Sequence, residues 1–288
     1  MSAPLLRLAA AAARSLPQPI RRALYRLGPL TRLMRGALNQ AAPHGLSETA
    51  VAAGPLAGAR LLLDLQSEKD LWLGNYEPQL LAAIEDLAVP GTVAYDVGAN
   101  IGYIAILLAR CVGPQGKVFA FEPLPANLER LRANLALNGI EGRVTVVPAA
   151  VSHESRAATF LLHASSGMGK VEGSAGREAH YPGSIMVETI DLDAFAYGRG
   201  HPAPSLIKMD IEGGEVMALA GMRRLLREAR PVLLIELHGP DARREAWDAL
   251  VEERYRLCRA DRGFARIDQP EGLGWKAYVA AFPEEMHA

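Results

Sequence analysis

The chain predicts an α/β fold, in which helices cover both faces of a mostly parallel, seven-stranded sheet. Three observations carry this. Short apolar runs alternate with longer helix-like runs between residues 92 and 253. Those runs lack polar alternation, as expected of strands buried on both faces. A glycine turn, Asp96-Val97-Gly98-Ala99-Asn100-Ile101-Gly102, joins the first core strand to the first core helix. With 288 residues, half of them apolar, the chain can build one full core.

Residues 1–58 form a basic arm and connector, and residues 59–288 the main domain. From Met1 to Ser47 there are seven arginines (Arg7, Arg14, Arg21, Arg22, Arg26, Arg32, Arg35) and no Asp or Glu. The remainder then has 24 basic against 32 acidic residues, a net of −8, which the overall −1 conceals. On a helical wheel Ile20, Leu24, Leu27, Leu30, Met34 and Leu38 oppose the arginines from Arg21 onward, with Gly28-Pro29 kinking or splitting the helix. Three roles fit the arm: packing on the body or another subunit, peripheral attachment of residues 1–40 to anionic lipid, or an organellar transit peptide. Arg7 and Arg14 leave too short an apolar run for a signal peptide, and no stretch approaches the ~20 residues of a membrane span. The expected place is the cytoplasm, with peripheral contact on the inner membrane face. Nucleic acid is not an expected partner, because Tyr25 is the arm's one aromatic and the body is acidic. Cys111 and Cys258 match neither metal spacing nor a disulfide framework.

A Gly/Ala/Pro-rich connector over 41–58 leads to a strand at 61–65 and a helix over 78–87. Core strands are predicted at 92–96, 117–121, 143–147, 206–209 and 232–237, and helices at 101–111, 126–138, 215–228 and 241–253. Segments 255–259 and 275–282 close the sheet as an antiparallel pair. Residues 163–184, with five glycines and four serines, and the Gly/Pro-rich 197–205 are predicted loops, placed to act as lids or specificity elements.

The turn chooses its ligand by what it lacks. From Gly98 the register reads G-A-N-I-G-Y, without the glycine that lets a dinucleotide pyrophosphate lie against the backbone. Asp96 would repel a pyrophosphate but suits a ligand carrying sulfonium and ammonium charges, such as S-adenosylmethionine. Glu122 ends the next strand at the edge where open α/β sheets bind ligands.

Here the sequence resembles class I methyltransferases, whose first motif has this acidic-x-Gly-x-x-x-Gly form. Leu206-Ile207-Lys208-Met209-Asp210-Ile211-Glu212-Gly213-Gly214-Glu215 and Pro231-Val232-Leu233-Leu234-Ile235-Glu236-Leu237-His238 resemble the signature of FkbM-type methyltransferases. With the upstream Tyr76-Glu77, the resemblance covers roughly 75–239. It implies a Rossmann-like fold, S-adenosylmethionine as methyl donor and O-methylation of a saccharide, glycolipid or hydroxylated natural product. For the donor it implies Asp96 at the methionine portion, Gly98 and Gly102 at close backbone approach, Asn100 at a polar contact and Glu122 at the ribose hydroxyls. Pro148-Ala149 carries no acid for the adenine amino group, so Ala149 and its neighbours offer backbone and apolar contact. Glu77 stands where this family tends to carry an acid.

Methyl transfer is an in-line displacement at an activated carbon, so orientation comes first and a general base adds ~10²–10⁴-fold. Strand alternation puts Lys208 and Asp210 on one face, and Glu236 and His238 on one face of the next strand. Asp210 is the first candidate for base, then His238, then Glu236. Glu212 and Glu215 are placed to orient the acceptor or the donor's amino group, and Lys208 to hold a carboxylate ionised. No metal is assigned, although carboxylates at this density also admit magnesium or calcium. The alternative to an enzyme is a binding or assembly module that keeps the fold and the ligand. The sequence does not resolve the oligomeric state.

Overall fold

The computed structural model describes residues 4–16, 28–163, 168–174, 180–261, 263–273 and 276–284. The chain divides into two compact units, residues 1–78 with 136–138, and residues 79–135 with 139–288. Residue 58, where the arm and connector were expected to end, lies inside the first.

The first unit contains α1 (Pro4–Ser15), α2 (Gly28–Ala41), the antiparallel pair β1 (Leu46–Ala50) and β2 (Arg60–Asp64), and α3 (Lys69–Leu73). Helix α1 buries Leu6, Ala10 and Ala13, one stripe at helical spacing, while Leu8 is 71% exposed. Residues 17–27, which include Ile20, Leu24, Leu27 and three of the arginines, lie outside the described residues. Among the described residues, no helix is long and apolar enough to cross a membrane.

The second unit opens within α4 (Pro78–Leu87) and continues β3 (Val93–Val97), α5 (Tyr103–Cys111), β4 (Lys117–Phe121), α6 (Pro125–Leu137) and β5 (Val144–Val147). Its sheet has the order β12-β13-β11-β10-β3-β4-β5, with β10 (Leu206–Met209), β11 (Val232–His238), β12 (Tyr255–Arg259) and β13 (Lys276–Pro283). The pairs β10–β11, β10–β3, β3–β4 and β4–β5 are parallel, and β13 runs antiparallel to both of its neighbours. This is the expected mostly parallel seven-stranded sheet. Tyr95, Phe119, Phe121 and Phe195 pack with ring centroids 5.0–5.7 Å apart. Burial of a side chain of this size contributes about 1.5–3 kcal/mol, enough to pin β3 beside β4.

Two expectations need correction. The segment 163–184 is not simply a loop: β8 (Gly169–Val171) and the start of β9 (Gly183–Ile190) fall within it. With β6 (Ala150–Val151) and β7 (Ala157–Leu162) they make a four-stranded sheet of order β6-β9-β7-β8. Gly169 is required there, since a Cβ would sit 2.3 Å from the Leu161 carbonyl oxygen. The helix expected over 215–228 is also broken, into α7 (Glu215–Ala220) and a π-helical turn at Leu225–Ala229. The Asp193 carboxylate accepts the Arg224 and Leu225 amides at 2.8 Å, a side-chain cap that restarts the helix after Gly221.

Candidate active site

Chain order reverses between β3 and β10, and the crevice at such a switch point is where open α/β sheets bind ligands. The glycine turn leaves β3 there, and the Asp210–Glu215 segment leaves β10. Gly98 adopts φ +79°, and a Cβ on it would lie 2.0 Å from the Asp210 carbonyl oxygen. Gly102 adopts φ +90°, and a Cβ would lie 2.5 Å from Leu131 Cδ1. The close approach that these glycines permit is therefore by the protein's own atoms. The turn's amides are also used internally: Gly98 and Ala99 donate to the Phe121 carbonyl, Gly102 to that of Ala99, and Asn100 to Glu122 Oε2 at 2.9 Å.

Glu122 is buried and holds the turn to the end of β4. Besides Asn100 it accepts the Leu124 amide at 2.9 Å and Asn127 Nδ2 at 3.1 Å, both on Oε1. Burial pushes its carboxyl above the usual range, and these hydrogen bonds pull against that. Asp96 is fully buried, with Lys208 Nζ 3.3 Å away. Burial raises its carboxyl above the ordinary value, with Lys208 opposing. The register pairs Lys208 with Asp96, so the ion pair forms across β10–β3, and Nζ also donates to the Gly98 carbonyl at 3.0 Å. The carboxylate that Lys208 serves is thus Asp96 rather than its strand-mate Asp210. Asn100 has a left-handed φ of +49° and an exposed side chain, and Ala149 is buried beside the end of β5. Glu77, at φ +33°, belongs to the first unit, immediately before α4.

The second group lies at the carboxyl ends of β10 and β11. His238 is 1% exposed and faces carboxylates from both ring nitrogens. Glu215 Oε1 is 3.3 Å from Nδ1, while Glu236 Oε2, Glu212 Oε2 and Asp210 Oδ1 lie 3.4, 3.6 and 4.0 Å from Nε2. Burial lowers the imidazole's proton affinity, but Glu215, Asp210 and Glu212 outweigh it and hold the pKa above the usual histidine value. Glu215 also accepts the Ile211 amide at 3.1 Å, so it fixes the turn that precedes α7 and contacts His238 at once. Donor atoms of Asp210, Glu215 and His238 all lie within 4.8 Å of one another. The structure thus gathers Asp210, Glu212, Glu215, Glu236 and His238, and sets Lys208 with Asp96 beside the turn.

Sequence reasoning missed Tyr278, whose hydroxyl donates to Asp210 Oδ2 at 3.0 Å. It stands opposite Glu236 in the β11–β13 register. The available signal was the late strand pair, which places a polar aromatic beside β11 once β13 is taken as its neighbour.

Residues 96–264 match the methyltransferase FkbM domain. Hexuronic acid methyltransferase AglP of Haloferax volcanii is 26% identical over 187 residues, covering 64% of this chain and 73% of that protein. The 31-O-demethyl-FK506 methyltransferase FkbM of Streptomyces tacrolimicus is 33% identical over 159 residues, covering 46% of this chain and 60% of its own length. The crystal structure of methyltransferase FkbM from Methylobacillus flagellatus aligns at 18% identity and a TM-score of 0.46, covering 76% of this chain and 54% of that one. The sheet, its acid-flanked glycine turn and these sequence matches define an S-adenosylmethionine-dependent methyltransferase. The chain belongs to the FkbM methyltransferase family.

Proposed function

We propose that the chain methylates a hydroxyl of a saccharide, glycolipid or related natural product, by in-line displacement on S-adenosylmethionine assisted by a carboxylate base. The observation that carries this reading is the contact between Gly98 and the Asp210 carbonyl, which sets the donor turn directly against the segment bearing the acids. The donor's methionine portion lies towards Asp96, its ribose towards Glu122, and its adenine against Ala149. The base is Asp210, which with Glu212 is one of the two cluster carboxylates open to solvent, at 16% and 24% exposure, while Glu215, Glu236 and His238 are sealed in; of the two, Asp210 is the one held by the Tyr278 hydroxyl. The saccharide or natural-product class rests on the relatives' names, one a hexuronic acid methyltransferase and the other a 31-O-demethyl-FK506 methyltransferase.

The carboxyl base is tested with Asp210→Asn. Turnover is expected to fall by about 10²–10⁴-fold, while calorimetry with S-adenosylhomocysteine shows little change. Equal turnover in both proteins would reject Asp210, and loss of binding would place it in the donor site. The acceptor is identified by mass spectrometry, as a one-methylene difference between glycans or lipids of a deletion strain and its parent. Peripheral lipid contact through residues 1–40 is part of the proposal, supported by Leu8 and Leu33, 71% and 73% exposed on a segment without acids. Fractionation with and without the arm tests it, and full-length protein wholly in the soluble fraction would reject it.

A further inference from the structure

Among the described residues, the carboxylates around His238 outnumber the cations that face them. Asp210, Glu212, Glu215 and Glu236 surround one imidazole, and Lys208 is already engaged by Asp96. Even a protonated His238 balances only one of Asp210, Glu212 and Glu215, in a site where Glu215 and His238 have almost no contact with water. Two buried atoms point the same way. Among the described residues, neither Glu215 Oε2 nor His238 Nε2 has a hydrogen-bond partner. A buried polar atom left so costs free energy unless something else satisfies it.

The spacing identifies that something. Ligands on a single ion with metal–oxygen bonds of about 2.1–2.4 Å sit roughly 3–5 Å from one another. Donor atoms of Asp210, Glu215 and His238 lie within 4.8 Å of one another, and Nε2 is 3.4–4.0 Å from three carboxylates, too far for good hydrogen bonds. With the ion at Nδ1 beside Glu215, the other ring nitrogen, Nε2, has Glu236 and Glu212 beside it. A carboxylate on the far side of a ligating histidine fixes its tautomer and orientation in metal sites generally.

We propose that Asp210, Glu215 and His238 hold a divalent cation of the manganese or magnesium type, which also binds the acceptor hydroxyl. Mostly oxygen donors with one imidazole and no thiolate favour these ions over a soft metal. The ion offsets the surplus charge and makes the hydroxyl more acidic. In the transfer the hydroxyl proton passes to Asp210, which serves both as base and as a ligand of the ion, the carbon–sulfur bond breaks as the carbon–oxygen bond forms, and the metal keeps its oxidation state. The role for the ion rests on the acceptor side of the function proposed above; its binding does not.

The test uses the full chain stripped by chelator, titrated with manganese and followed by electron paramagnetic resonance, with S-adenosylhomocysteine calorimetry on the same preparation. One manganese ion per chain is expected, displaced by excess magnesium, together with a rise in the melting temperature of the wild-type protein. His238→Gln and Glu215→Gln should abolish it, and Glu236→Gln should weaken it by about 10–100-fold. No bound manganese in the wild-type chain, or undiminished binding in both ligand variants, overturns the site. Heat with S-adenosylhomocysteine but no manganese binding rejects the ion and leaves the donor reading standing. Manganese binding without that heat supports the ion and rejects the donor reading. Should the variants fail to fold, the wild-type titration and melting shift still decide.

Discussion

At the carboxyl ends of β3 and β4 Glu122 and the glycine turn are satisfied by the protein's own donors and acceptors, and the buried Asp96 has a cation beside it, whereas at the ends of β10 and β11 carboxylates outnumber the cations among the described residues. On the first side Lys208 faces Asp96, Glu122 accepts three donors, and the amides of Gly98, Ala99, Asn100 and Gly102 have carbonyl or carboxylate acceptors. On the second side four carboxylates crowd one imidazole. The difference separates a pocket whose shape exists before the ligand arrives from a cluster whose electrostatics are completed by what binds. Preorganisation of this kind suits a donor shared by many methyltransferases; the second side is where a particular acceptor is prepared.

The largest expected effect comes from breaking the seam between the two sides. Gly98→Ala would put a Cβ 2.0 Å from the Asp210 carbonyl oxygen at a φ of +79°, where L side chains are strained. The left-handed backbone alone costs about 1–3 kcal/mol, and moving the end of β10 adds to it. Urea denaturation should show a loss of ~3 kcal/mol or more, accompanied by loss of both donor binding and turnover. Wild-type stability in this variant would mean that the two edges move independently.

A smaller effect sharpens the second side. Tyr278 donates to Asp210 Oδ2 at 3.0 Å without belonging to the carboxylate cluster, so it is a positioning residue. A hydrogen bond to a charged group is worth about 1.5–3 kcal/mol, and Tyr278→Phe removes it while keeping the ring. Turnover should fall about tenfold or more, with KM and S-adenosylhomocysteine affinity unchanged. A rise in KM with unchanged kcat would instead place Tyr278 against the acceptor.

These two residues also mark how far the chain could be read without its structure. Strands Lys117–Phe121 and Leu206–Met209 and helix Pro78–Leu87 emerge with the expected bounds, because apolar runs of the right length are bracketed by Gly, Pro or charge. The acids at the strand ends were legible too, since alternation and a parallel sheet put them on one edge. Three features were not. The four-stranded sheet uses strands as short as Ala150–Val151 and Gly169–Val171, and β9 carries Met186 at 66% exposure, so neither length nor periodicity gave a signal. The partner of Lys208 depends on which strand flanks β10, a property of topology. Tyr278 reaches the site only because β13 inserts between β11 and β12, bringing together residues 68 apart in sequence.

The smallest effect asks how completely the first side is matched. Burial raises the Asp96 carboxyl above its ordinary 3.8, with Lys208 opposing. The folded chain therefore binds more protons than the unfolded one in the window that begins near that value. Stability from this group is full below the window and is lost as pH rises through the folded-state pKa. Asp96→Asn removes the titration and mimics the protonated carboxyl, so its stability curve should be flatter and lie nearest the wild type at the acid end. Melting temperatures of both proteins from about pH 4 to 7 should show the wild type losing stability relative to the variant as pH rises, at no more than about 1.4 kcal/mol per pH unit. Parallel curves would mean that Lys208, 3.3 Å away, already holds the carboxylate ionised throughout, and that the donor's positive charges find a pair whose desolvation cost has been met.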